Sequence, residues 1–551
     1  MKFYTYVGQF QNKIYVRDID SKGEEYSEYV PFEPTLYVPC PPEKATFRTL
    51  DNRPLASLKF PSINDCKSFV EQYDDVTNFA FHGTKSYVSQ YISETYPDIQ
   101  WDRSKILIYT LDIEVASDEG FPDIRSARSP ITSLTIHNSV TDVYYVFGTG
   151  EYTPNDPDKT IKYFLCDNEE EMMHLFLDWW HDNPPHIVSG WNCKFFDMPY
   201  IINRLMFLGL NQKHLSPINK VFEKNVVIGM GKVTDDLVAG YNLYKTDYQK
   251  FIEYNIKDVE IVKKLDDKMK LLDLIITIAY ESQVNFEDVF SPVKTWECII
   301  YNFLKDQKIA TPNKRNKSES TSIEGGYVKD PHIGLHKWVV SFDLNSLYPH
   351  LIQQYNISPE MVSHDEVLKI KYNDGVNGLL NQKYDTEYLK EMQMTLTPNG
   401  QHFSTKHQGF LPKLMKSMYD DRVTYKKKML EEEQRLEDGN YKNKQDVVNN
   451  ISKYNNAQMA KKILLNSAYG ALANQYFLYY SPEQAEAVTM SGQLSIRWIE
   501  KHINTFINDL LKTGDTDYVI ASDTDSIYIT FDRLVNEVWG EGADTEKVIT
   551  F

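Results

Sequence analysis

The chain has 551 residues, of which 42% are hydrophobic and 25% are charged, and its formal net charge is −19. This length exceeds what one hydrophobic core accommodates, so several domains are expected. The sequence has no long apolar stretch and no signal-peptide pattern, which argues against a membrane or secreted protein. Five scattered cysteines without a CxxC pair argue against a zinc ribbon or a disulfide framework.

The acidic balance bears on the kind of partner that the chain binds. A net charge of −19 counts against a nucleic-acid partner, because lysine and arginine drive phosphate binding. A protein that clusters carboxylates around divalent metals is nevertheless acidic by necessity. The net charge therefore leaves the question of partners to local groups of residues.

The N-terminal half predicts strands first and then an alternation of strands and helices. Up to about residue 104 the sequence indicates short strands, such as KFYTYVG and KIYVRDI, interrupted by the proline-rich stretch 30–43. From residue 105, strand patterns such as KILIYTLDIEV and ITSLTIHN alternate with helical patterns such as EEEMMHLFLDWW. This order predicts a small mixed domain followed by an α/β domain.

The C-terminal half predicts a second large unit behind a linker. The polar segment 313–326 is the best linker candidate. After it, KWVVSFDLNSLYPH (337–350) predicts a buried strand, and long helical patterns cover about 411–437 and 456–474. A strand pair follows around DTDS. The predicted fold class is therefore a multi-domain combination of α/β and α+β units.

Two acids stand out in the strand LDIEV. Successive strand residues alternate faces, so Asp112 and Glu114 point the same way while Leu111, Ile113 and Val115 point into the core. Paired carboxylates resist ionising unless a cation joins them, which makes a divalent metal their natural partner. The alternative is an exposed strand face that is merely acidic, and LDIEV taken alone favours that alternative.

Three further residues extend this group. WNCKFFDMPY places Asp197 at a predicted helix start, where an N-cap role competes with a metal role. YNIKD places Tyr254 and Asp258 four residues apart on one helical face. Each of them alone fits a cap or a surface residue. Together with Asp112 and Glu114 they make a coherent two-metal phosphodiesterase site, in which Tyr254 orients the attacking water.

A second acidic group lies in the C-terminal half. Asp343 ends the apolar strand VVSFD, and Tyr348 follows beyond a turn. In ASDTDSIYIT, an extended conformation would place Asp523 and Asp525 on one face with a metal between them. Taken alone, an aspartate at a strand end can simply accept hydrogen bonds from backbone amides, and DTD is more often a turn motif than a catalytic one.

Two helical patterns between these acids carry cations. Arg422 and Lys426 are four residues apart in DDRVTYKKKM, while Lys462, Asn466 and Tyr469 share one face in KKILLNSAYGALAN. The charge run KKKMLEEEQR also fits a solvated helix face, and this is the interpretation of its other lysines. Arginine and lysine that face aspartate-bound metals would grip a triphosphate and neutralise charge as pyrophosphate leaves.

The ordered set DIE, NCKFFD, YNIKD, DLNSLYP, KILLNSAYG and DTDS resembles the motifs of family B DNA polymerases that carry a 3′-5′ exonuclease. SPVKTWECII and NISPE add a similarity to the branch found in T-even-type bacteriophages. The resemblance implies a ribonuclease H-like exonuclease domain with a polymerase palm and helical fingers. The implied domains are an N-terminal mixed domain at 1–104 completed by about 274–317, the exonuclease at 105–273, the first part of the palm at 318–408, the fingers at 409–474, and the second part of the palm at 475–551.

The resemblance also implies roles for individual residues. Four carboxylates would hold the exonuclease metals with Tyr254 assisting the water, namely Asp112, Glu114, Asp197 and Asp258. Three aspartates would serve the polymerase metals, namely Asp343 and Asp525 as ligands and Asp523 in support. Arg422, Lys426 and Lys462 would bind the phosphates of the incoming nucleotide. Its sugar and base would be contacted by Tyr348, Asn466 and Tyr469. The adjoining residues Leu344, Ser346 and Leu347 would also contact the nucleotide. EGGY, residues 324–327, would contact the template.

The implied activity is template-directed addition of dNTPs to a primer 3′-hydroxyl during DNA replication, with 3′-5′ proofreading. The implied cofactor is Mg²⁺, two ions per active site, with Mn²⁺ as a substitute. Implied partners are primer–template DNA and dNTPs in the cytoplasm of an infected bacterial host, without a membrane. Two alternatives stay open: a chain active only as a metal-dependent 3′-5′ exonuclease, and a non-catalytic DNA-binding subunit.

Three features depart from the family pattern. Asp197 and Asp258 lie only 61 positions apart, and segment 219–240 stands where a strand and an amphipathic segment are expected. Weakened proofreading or a missing strand-separating hairpin is therefore predicted. The fingers are compact, with 40 positions between Arg422 and Lys462, and Ser522 stands where the family has glycine.

The family continues beyond DTDS into the rest of the palm, a thumb and, in the phage branch, a clamp-binding tail. From the sequence alone we expect a chain without the thumb, either a truncated sequence or one part of a split enzyme. A second polypeptide would then supply the remaining palm and the thumb, and would contact the sliding clamp.

Overall fold

The computed structural model describes residues 2–74, 76, 79–116, 120–221, 243–313, 323–365, 368 and 375–550. The strands within these residues are β1 (Phe3–Phe10), β2 (Lys13–Ile19), β3 (Glu25–Pro31), β4 (Thr35–Pro39), β5 (Phe47–Arg48), β6 (Pro54–Lys59), β7 (Ile108–Val115), β8 (Ile131–Asn138), β9 (Val143–Gly148), β10 (Thr160–Leu165), β11 (Ile187–Ser189), β12 (Val328–Lys329), β13 (Val339–Asp343), β14 (Met394–Leu396), β15 (His402–Ser404), β16 (Val519–Asp523) and β17 (Ser526–Thr530). The helices are α1 (Ile63–Tyr73), α2 (Tyr87–Thr95), α3 (Glu169–Asp182), α4 (Asp197–Phe207), α5 (Leu243–Thr246), α6 (Tyr248–Met269), α7 (Leu271–Ser282), α8 (Pro292–Asp306), α9 (Leu347–Tyr355), α10 (Gly375–Leu380), α11 (Tyr388–Met392), α12 (Phe410–Glu437), α13 (Lys444–Leu472), α14 (Pro482–Leu511), α15 (Asp532–Trp539) and α16 (Thr545–Thr550).

These elements belong to two compact units. The first comprises Met1–Tyr6, Val16–Glu28 and Ile99–Asp273, and the second comprises Val7–Tyr15, Tyr29–Asp98 and Leu274–Phe551. Both units combine helices with sheets, which confirms the predicted multi-domain mixture of α and β structure. Three small sheets have the orders β1-β2-β3, β4-β6-β5 and β14-β15.

The first unit is organised around a five-stranded sheet with the order β10-β9-β8-β7-β11. β7 runs antiparallel to β8, with Asp112 opposite Thr135 and Glu114 opposite Ser133. Residues directly opposite each other share one face of a sheet. Asp112, Glu114 and the two hydroxyl residues therefore lie on the same face.

Helices pack on both faces of this sheet. The odd-numbered residues Leu111 and Ile113 pack with Met172 of α3 and Tyr200 of α4 in a buried apolar cluster. On the other face, α6 packs across β7, β8 and β9 through residues such as Ile252. The buried positions of α6 recur at helical spacing, which explains why it lies flat on the sheet. The alternation predicted for LDIEV is confirmed, since Leu111 and Ile113 are buried.

A buried ion pair joins α3 to α4. Nε and Nη2 of Arg204 donate to the two carboxylate oxygens of Glu169 at 2.7 and 2.5 Å. Arg204 Nη1 also donates to the carbonyl oxygens of Ala127 and Arg128 at 2.8 and 2.7 Å. Both side chains are largely buried, at 6% and 15% exposure. Because every partner is hydrogen-bonded, the pair anchors α4 and, with it, Asp197 at its first turn.

The second unit contains a four-stranded antiparallel sheet with the order β12-β16-β17-β13. The long helix α14 packs on one face of this sheet, where Ile496 and Ile507 meet Val519, Ile527 and Ile529 in a buried cluster. The side chain of Ser481 accepts from the Gln484 amide as the N-cap of α14, and Pro482 occupies the first turn.

Two long helices form the second prominent feature of this unit. α12 and α13 pack closely against each other and against α9. Buried residues of both helices, such as Met415 and Leu464, belong to one large apolar cluster. α12 matches the predicted span 411–437 closely. The second helix begins at Lys444 instead of 456, because Asn443 caps it with a hydrogen bond from the Gln445 amide.

Two predictions about strands are corrected. The strand within 337–350 is β13, and it is exposed rather than buried, with 40% exposure of Val339 and 52% of Phe342. The reason is its place at the sheet edge, since the cluster under α14 takes its sheet residues from β16 and β17. The proline-rich stretch 30–43 is not merely a break, because β4 lies inside it and pairs with β6.

Some predicted segments fall on residues outside the described ranges. Most of the linker candidate 313–326 and most of segment 219–240 lie there, so their predictions stay untested. Within the part of the chain that the structure describes, no helix combines the length and apolarity needed to cross a membrane.

Replacing Arg204 with leucine is expected to leave the carboxylate of Glu169 buried without its cation. The free energy of local opening of α4 should fall by about 3 kcal/mol. Hydrogen exchange of peptides covering Asp197–Phe207, read by mass spectrometry, measures this change. The control is Arg435→Leu, which breaks the more exposed pair with Glu432 and should change local exchange little. Equal protection in Arg204→Leu and the native chain would contradict the anchoring role.

Candidate active sites

A carboxylate cluster lies between β7 and α6 in the first unit. Asp112 and Glu114 project from β7 toward α6, which contributes Asp258. One oxygen from each of these three carboxylates lies within 4.8 Å of the others. The strand supplies two acids on one face, and the helix that crosses it supplies the third. Such a set of oxygen ligands suits a hard divalent cation.

The pKa values of the cluster support a cation as its partner. Burial, followed by the charges of Asp197 and Glu114, raises the pKa of Asp112 well above its ordinary value. Burial and the neighbouring Asp258 raise the pKa of Glu114 to about 8. The pKa of Asp258 is also raised by burial. A carboxyl group with a pKa of about 8, as at Glu114, is fully ionised at neutral pH only when positive charge compensates it, so the residues present fit a divalent metal.

Asp197 lies beside this cluster. It is the first residue of α4 and is 3% exposed. Its Oδ1 accepts a hydrogen bond from the Ile113 amide at 3.3 Å, and burial raises its pKa to about 6. The N-cap position of α4 is occupied by Phe196 and Asp197 follows it as the first helical residue, so Asp197 is not the N-cap. Among the described residues, the oxygens that meet within 4.8 Å are those of Asp112, Glu114 and Asp258, so Asp197 is adjacent to the triad and outside it.

Tyr254 lies one helical turn before Asp258 on α6. Its hydroxyl lowers the pKa of the Asp258 carboxyl group and so opposes the effect of burial. Burial and the nearby carboxylates raise the pKa of Tyr254 to about 12. The phenol is therefore protonated at neutral pH, and its ring is 37% exposed. It can donate a hydrogen bond at the open side of the cluster.

Asn255 is a site residue that the sequence interpretation missed. Its Nδ2 donates to Asp112 Oδ2 at 2.7 Å. Its Oδ1 accepts from the hydroxyls of Ser133 and Thr135 at 2.9 and 2.5 Å. The two hydroxyl groups on β8 fix the amide, so its donor must face Asp112. The signal was its position next to Tyr254 in YNIKD, at a helical position that faces the sheet.

The second acidic centre forms at one end of the sheet in the second unit. Asp343 ends β13, Asp523 ends β16, and both strands flank β17 with Ser526 opposite each aspartate. The Leu344 amide donates to the carbonyl oxygen of Asp525 at 2.8 Å. Burial and then the charge of Asp343 raise the pKa of Asp525, which indicates that the two carboxylates act on each other.

The predicted geometry of DTDS is wrong in one respect. Asp523 and Asp525 do not lie on one face of an extended strand, because Thr524 and Asp525 form the two-residue turn between β16 and β17. Thr524 has a positive φ of 53°, which a tight hairpin turn requires. The hairpin therefore brings the aspartates together at its tip.

The segment 324–327 lies against this turn. The carbonyl oxygen of Tyr327 accepts from the Thr524 amide at 2.9 Å. A Cβ atom on Gly326 would come within 2.8 Å of the Thr524 hydroxyl, so glycine is needed there. Gln493 of α14 holds the segment by donating to Glu324 Oε1 and to the carbonyl oxygen of Gly325 at 3.0 and 2.8 Å. The predicted template segment thus also supports the aspartate turn.

The predicted phosphate-binding cations lie on α12 and α13. Arg422 is half-buried, and its Nη1 donates to Ser346 Oγ at 3.2 Å. Its Nε is buried and has no hydrogen-bond partner among the described residues. Lys426 on α12 and Lys462 on α13 are exposed. Arg422 therefore keeps a buried donor near the aspartate end of the sheet, where an anion would satisfy it.

Two tyrosines lie close to the acidic centre of the second unit. The rings of Tyr348 on α9 and Tyr469 on α13 have centroids 5.0 Å apart. Burial, then Tyr469 and the charges of Asp525 and Asp523, raise the pKa of Tyr348 to about 12, so this tyrosine lies close to the acidic centre. A Cβ atom on Gly492 would come within 3.1 Å of the Tyr348 ring. Gly492 is a second residue that the sequence interpretation missed.

Three other predicted nucleotide contacts differ in exposure. Asn466 is exposed on α13. Leu347 is buried, and Leu344 packs partly against the cluster under α14.

Two separate acidic centres, one in each unit, are candidate active sites, and the carboxylates of the first suit a divalent metal. The family model described as DNA polymerase family B matches residues 286–550, and the model described as its exonuclease domain matches residues 67–236. The chain therefore belongs to the family B DNA polymerases and carries the exonuclease domain of that family. It is accordingly an enzyme, a DNA-directed DNA polymerase with an exonuclease domain.

Individual relatives agree with this assignment. The DNA-directed DNA polymerase of Escherichia phage RB69 is 28% identical over 100% of this chain and 72% of its own length. That of Enterobacteria phage T4 is 29% identical over 98% of this chain and 70% of its own length. The structure of the family B DNA polymerase from the hyperthermophilic archaeon Pyrobaculum calidifontis matches with a TM-score of 0.66 at 18% identity, covering 98% of this chain and 76% of that chain. This last match shows a shared fold.

Metal binding at the cluster of Asp112, Glu114 and Asp258 is expected to release protons. Carboxyl groups with raised pKa values hold protons near pH 7, and a metal binds the ionised form, so affinity should increase as pH rises from 6 towards 8. Calorimetric titration with Mn²⁺ in two buffers of different ionisation enthalpy counts the protons. Using Asp343→Asn protein suppresses the second centre, and Glu114→Gln should release fewer protons. A pH-independent affinity without proton release would contradict this account.

Replacing Asn255 with leucine removes the amide that orients Asp112. The affinity of the cluster for Mn²⁺ should fall by about 10- to 100-fold, because loss of a hydrogen-bond donor to a metal-binding carboxylate typically has that effect. Asn203→Leu is the matched control, since within the described residues this asparagine donates to the Ile124 carbonyl and to none of the cluster carboxylates. A similar loss in both variants would reject a specific role for Asn255.

Proposed function

We propose that the chain adds dNTPs to a primer 3′-hydroxyl as a DNA template directs, and removes 3′-terminal nucleotides at its second centre. The observation that carries the first activity is Arg422. This arginine donates to Ser346, which follows closely after Leu344, whose amide bonds the Asp525 carbonyl, and its buried Nε has no partner among the described residues. An arginine held in this way is suited to a phosphate group.

At the polymerase centre, each group has a distinct role in this proposal. Asp343 and Asp525 would hold two divalent ions, Mg²⁺ in the cell, and Asp523, which accepts a hydrogen bond from the Thr524 hydroxyl, would support them. When bound, such ions stabilise the attacking and leaving oxygens of an in-line displacement. The primer 3′-hydroxyl attacks the α-phosphate and pyrophosphate leaves. Cations on α12 and α13 neutralise the triphosphate, namely Arg422, Lys426 and Lys462.

Tyr348 selects the sugar in this proposal. Its ring is confined between Tyr469 on one side and the helix of Gly492 on the other. A ring that cannot move aside excludes a 2′-hydroxyl by its bulk, which favours deoxynucleotides. Asn466 and Tyr469 line the nascent base pair, and segment 324–327 contacts the template.

At the exonuclease centre, Asp112, Glu114 and Asp258 hold the metal, and Asp197 contributes from beside the triad. Tyr254 orients the attacking water by a hydrogen bond, which is consistent with its position one helical turn before Asp258 on α6. Water attacks the terminal phosphodiester and a nucleoside monophosphate leaves. The identity of the metal as Mg²⁺ and the 3′-5′ direction, with proofreading, are parts of this proposal.

The phage relatives support a role in DNA replication in an infected bacterial host. The requirement for a second chain with a thumb, and contact with a sliding clamp through it, stays a prediction. A chain that acts only as an exonuclease is the second candidate, because the tightest carboxylate cluster among the described residues is the one in the exonuclease unit.

Two reciprocal variants test the assignment of the two centres. Asp343→Asn should reduce extension of a primer on a template with a 5′ overhang by about three orders of magnitude, because it removes a metal ligand, and should leave hydrolysis of single-stranded DNA intact. Asp112→Asn should have the opposite effect. Labelled oligonucleotides resolved on gels measure both activities.

The outcomes of this experiment separate the candidates. Hydrolysis without extension by the native chain favours the exonuclease-only function, and extension by the chain alone contradicts the need for a second polypeptide. Loss of both activities in either variant would show that one centre serves both reactions. The absence of both activities from the native chain would overturn the proposed function.

A further inference from the structure

A buried lysine ties together three helices of the second unit. Lys461 on α13 has only 12% of its side chain exposed. Its Nζ lies 2.7 Å from Glu281 Oε2 on α7 and 3.3 Å from Asp421 Oδ2 on α12. We call Lys461, Glu281 and Asp421 the lysine triad. Asp421 and Lys461 lie in the two cation-bearing patterns DDRVTYKKKM and KKILLNSAYGALAN, but the sequence predicted no site role for any member of the triad.

The position of the lysine triad relates it to nucleotide binding. Asp421 directly precedes Arg422 on α12, and Lys461 directly precedes Lys462 on α13. Successive residues of an α-helix point in directions roughly 100° apart. A tie between Asp421 and Lys461 therefore sets the rotation of both helices, and with it the direction in which Arg422 and Lys462 project.

The third member, Glu281, connects the two long helices to another helix. Glu281 lies on α7, outside the pair of long helices, and its contact with Lys461 is the shorter of the two. Glu281 is 26% exposed and Asp421 is 52% exposed. The triad thus connects the helix pair to a helix that does not belong to it, and the more buried carboxylate makes the closer contact.

The charges of the triad depend on one another. Burial opposes the charged form of Lys461, but the two carboxylates outweigh it and raise the pKa of Lys461 above its ordinary value. Removing the lysine would leave the half-buried carboxylate of Glu281 without a compensating positive charge. The helices would then be free to rotate so that this carboxylate reaches water. The half-buried Tyr425 is adjacent, since the charges of Glu281, Lys461 and Asp421 all act on its pKa.

Arg422 is sensitive to such a rotation. Its Nη1 donates a hydrogen bond to Ser346 Oγ at 3.2 Å, and its Nε is buried without a partner among the described residues. A small rotation of α12 would change where this donor points. Misplacing a group by 1 Å can cost roughly a hundredfold in rate.

We infer that Lys461 is a positioning residue for the incoming nucleotide. Held by Glu281 and Asp421, it fixes the rotation of α12 and α13, so that Arg422 and Lys462 meet the triphosphate together. This inference rests on the proposed polymerase function. It assigns a role in nucleotide binding to a residue that does not itself touch the nucleotide.

The test compares single-nucleotide incorporation by the native chain and four variants. Lys461→Met should raise KM for the dNTP by about tenfold with a much smaller change in kcat, because the chemistry at the aspartates is untouched. Asp421→Asn should act in the same direction. Lys461→Arg should restore most of the native KM, since it keeps the charge. Lys427→Met is the matched control, because this lysine is 78% exposed and only approaches Glu431 at 3.9 Å.

Further readouts distinguish the failure of this inference from failure of the proposed function. Arg422→Ala should raise KM strongly, and hydrolysis of single-stranded DNA should be native in every variant. If Arg422→Ala leaves KM unchanged, or the native chain does not incorporate dNTPs in the presence of Mg²⁺, the proposed function fails. If Arg422→Ala raises KM while Lys461→Met leaves it native, or Lys461→Met lowers kcat alone, the positioning role is overturned.

Discussion

Repulsion between carboxylates that are held close together in a poorly solvated site is the constraint on which this molecule depends. Asp112, Glu114 and Asp258 meet within 4.8 Å, and burial raises their pKa values. Such a site destabilises the empty protein, so other contacts must hold it in place. Leu111 and Ile113 do so by packing into the core on the opposite face of the same strand.

The acidic centre in the second unit also holds carboxylates close together, but it does so at the end of a sheet. A hairpin tip presents Asp523 and Asp525, and the neighbouring strand ends at Asp343. Support comes from the backbone, through the bond from the Thr524 amide to the Tyr327 carbonyl. The chain has 59 lysine and arginine residues against 78 acidic residues, so a cation opposes these carboxylates only where the fold directs it toward them. Ion pairs between helices can orient such cations by fixing the rotation of the helices that carry them, as we infer for the lysine triad.

The alternation in LDIEV allowed the shared face of Asp112 and Glu114 to be predicted, and the spacing in YNIKD did the same for Tyr254 and Asp258. These predictions succeeded because they concern neighbours within one element, where the period of the strand or helix decides direction. The prediction for DTDS failed because two residues with strand-like neighbours formed a turn. The burial of β13 was overestimated because an edge strand has the same composition as a central one.

By itself, the sequence determined the acidic pairs, the order of the motifs and, through their resemblance, the family. Only the tertiary structure decided which groups complete each centre. Asn255 reaches Asp112 across 143 positions of sequence, and Lys461 reaches Glu281 from a different helix. It also excluded the cap role of Asp197, whose oxygen accepts from the Ile113 amide. The physical reason is that hydrogen bonds and ion pairs between elements depend on how the elements pack, and local periodicity carries no information about that packing.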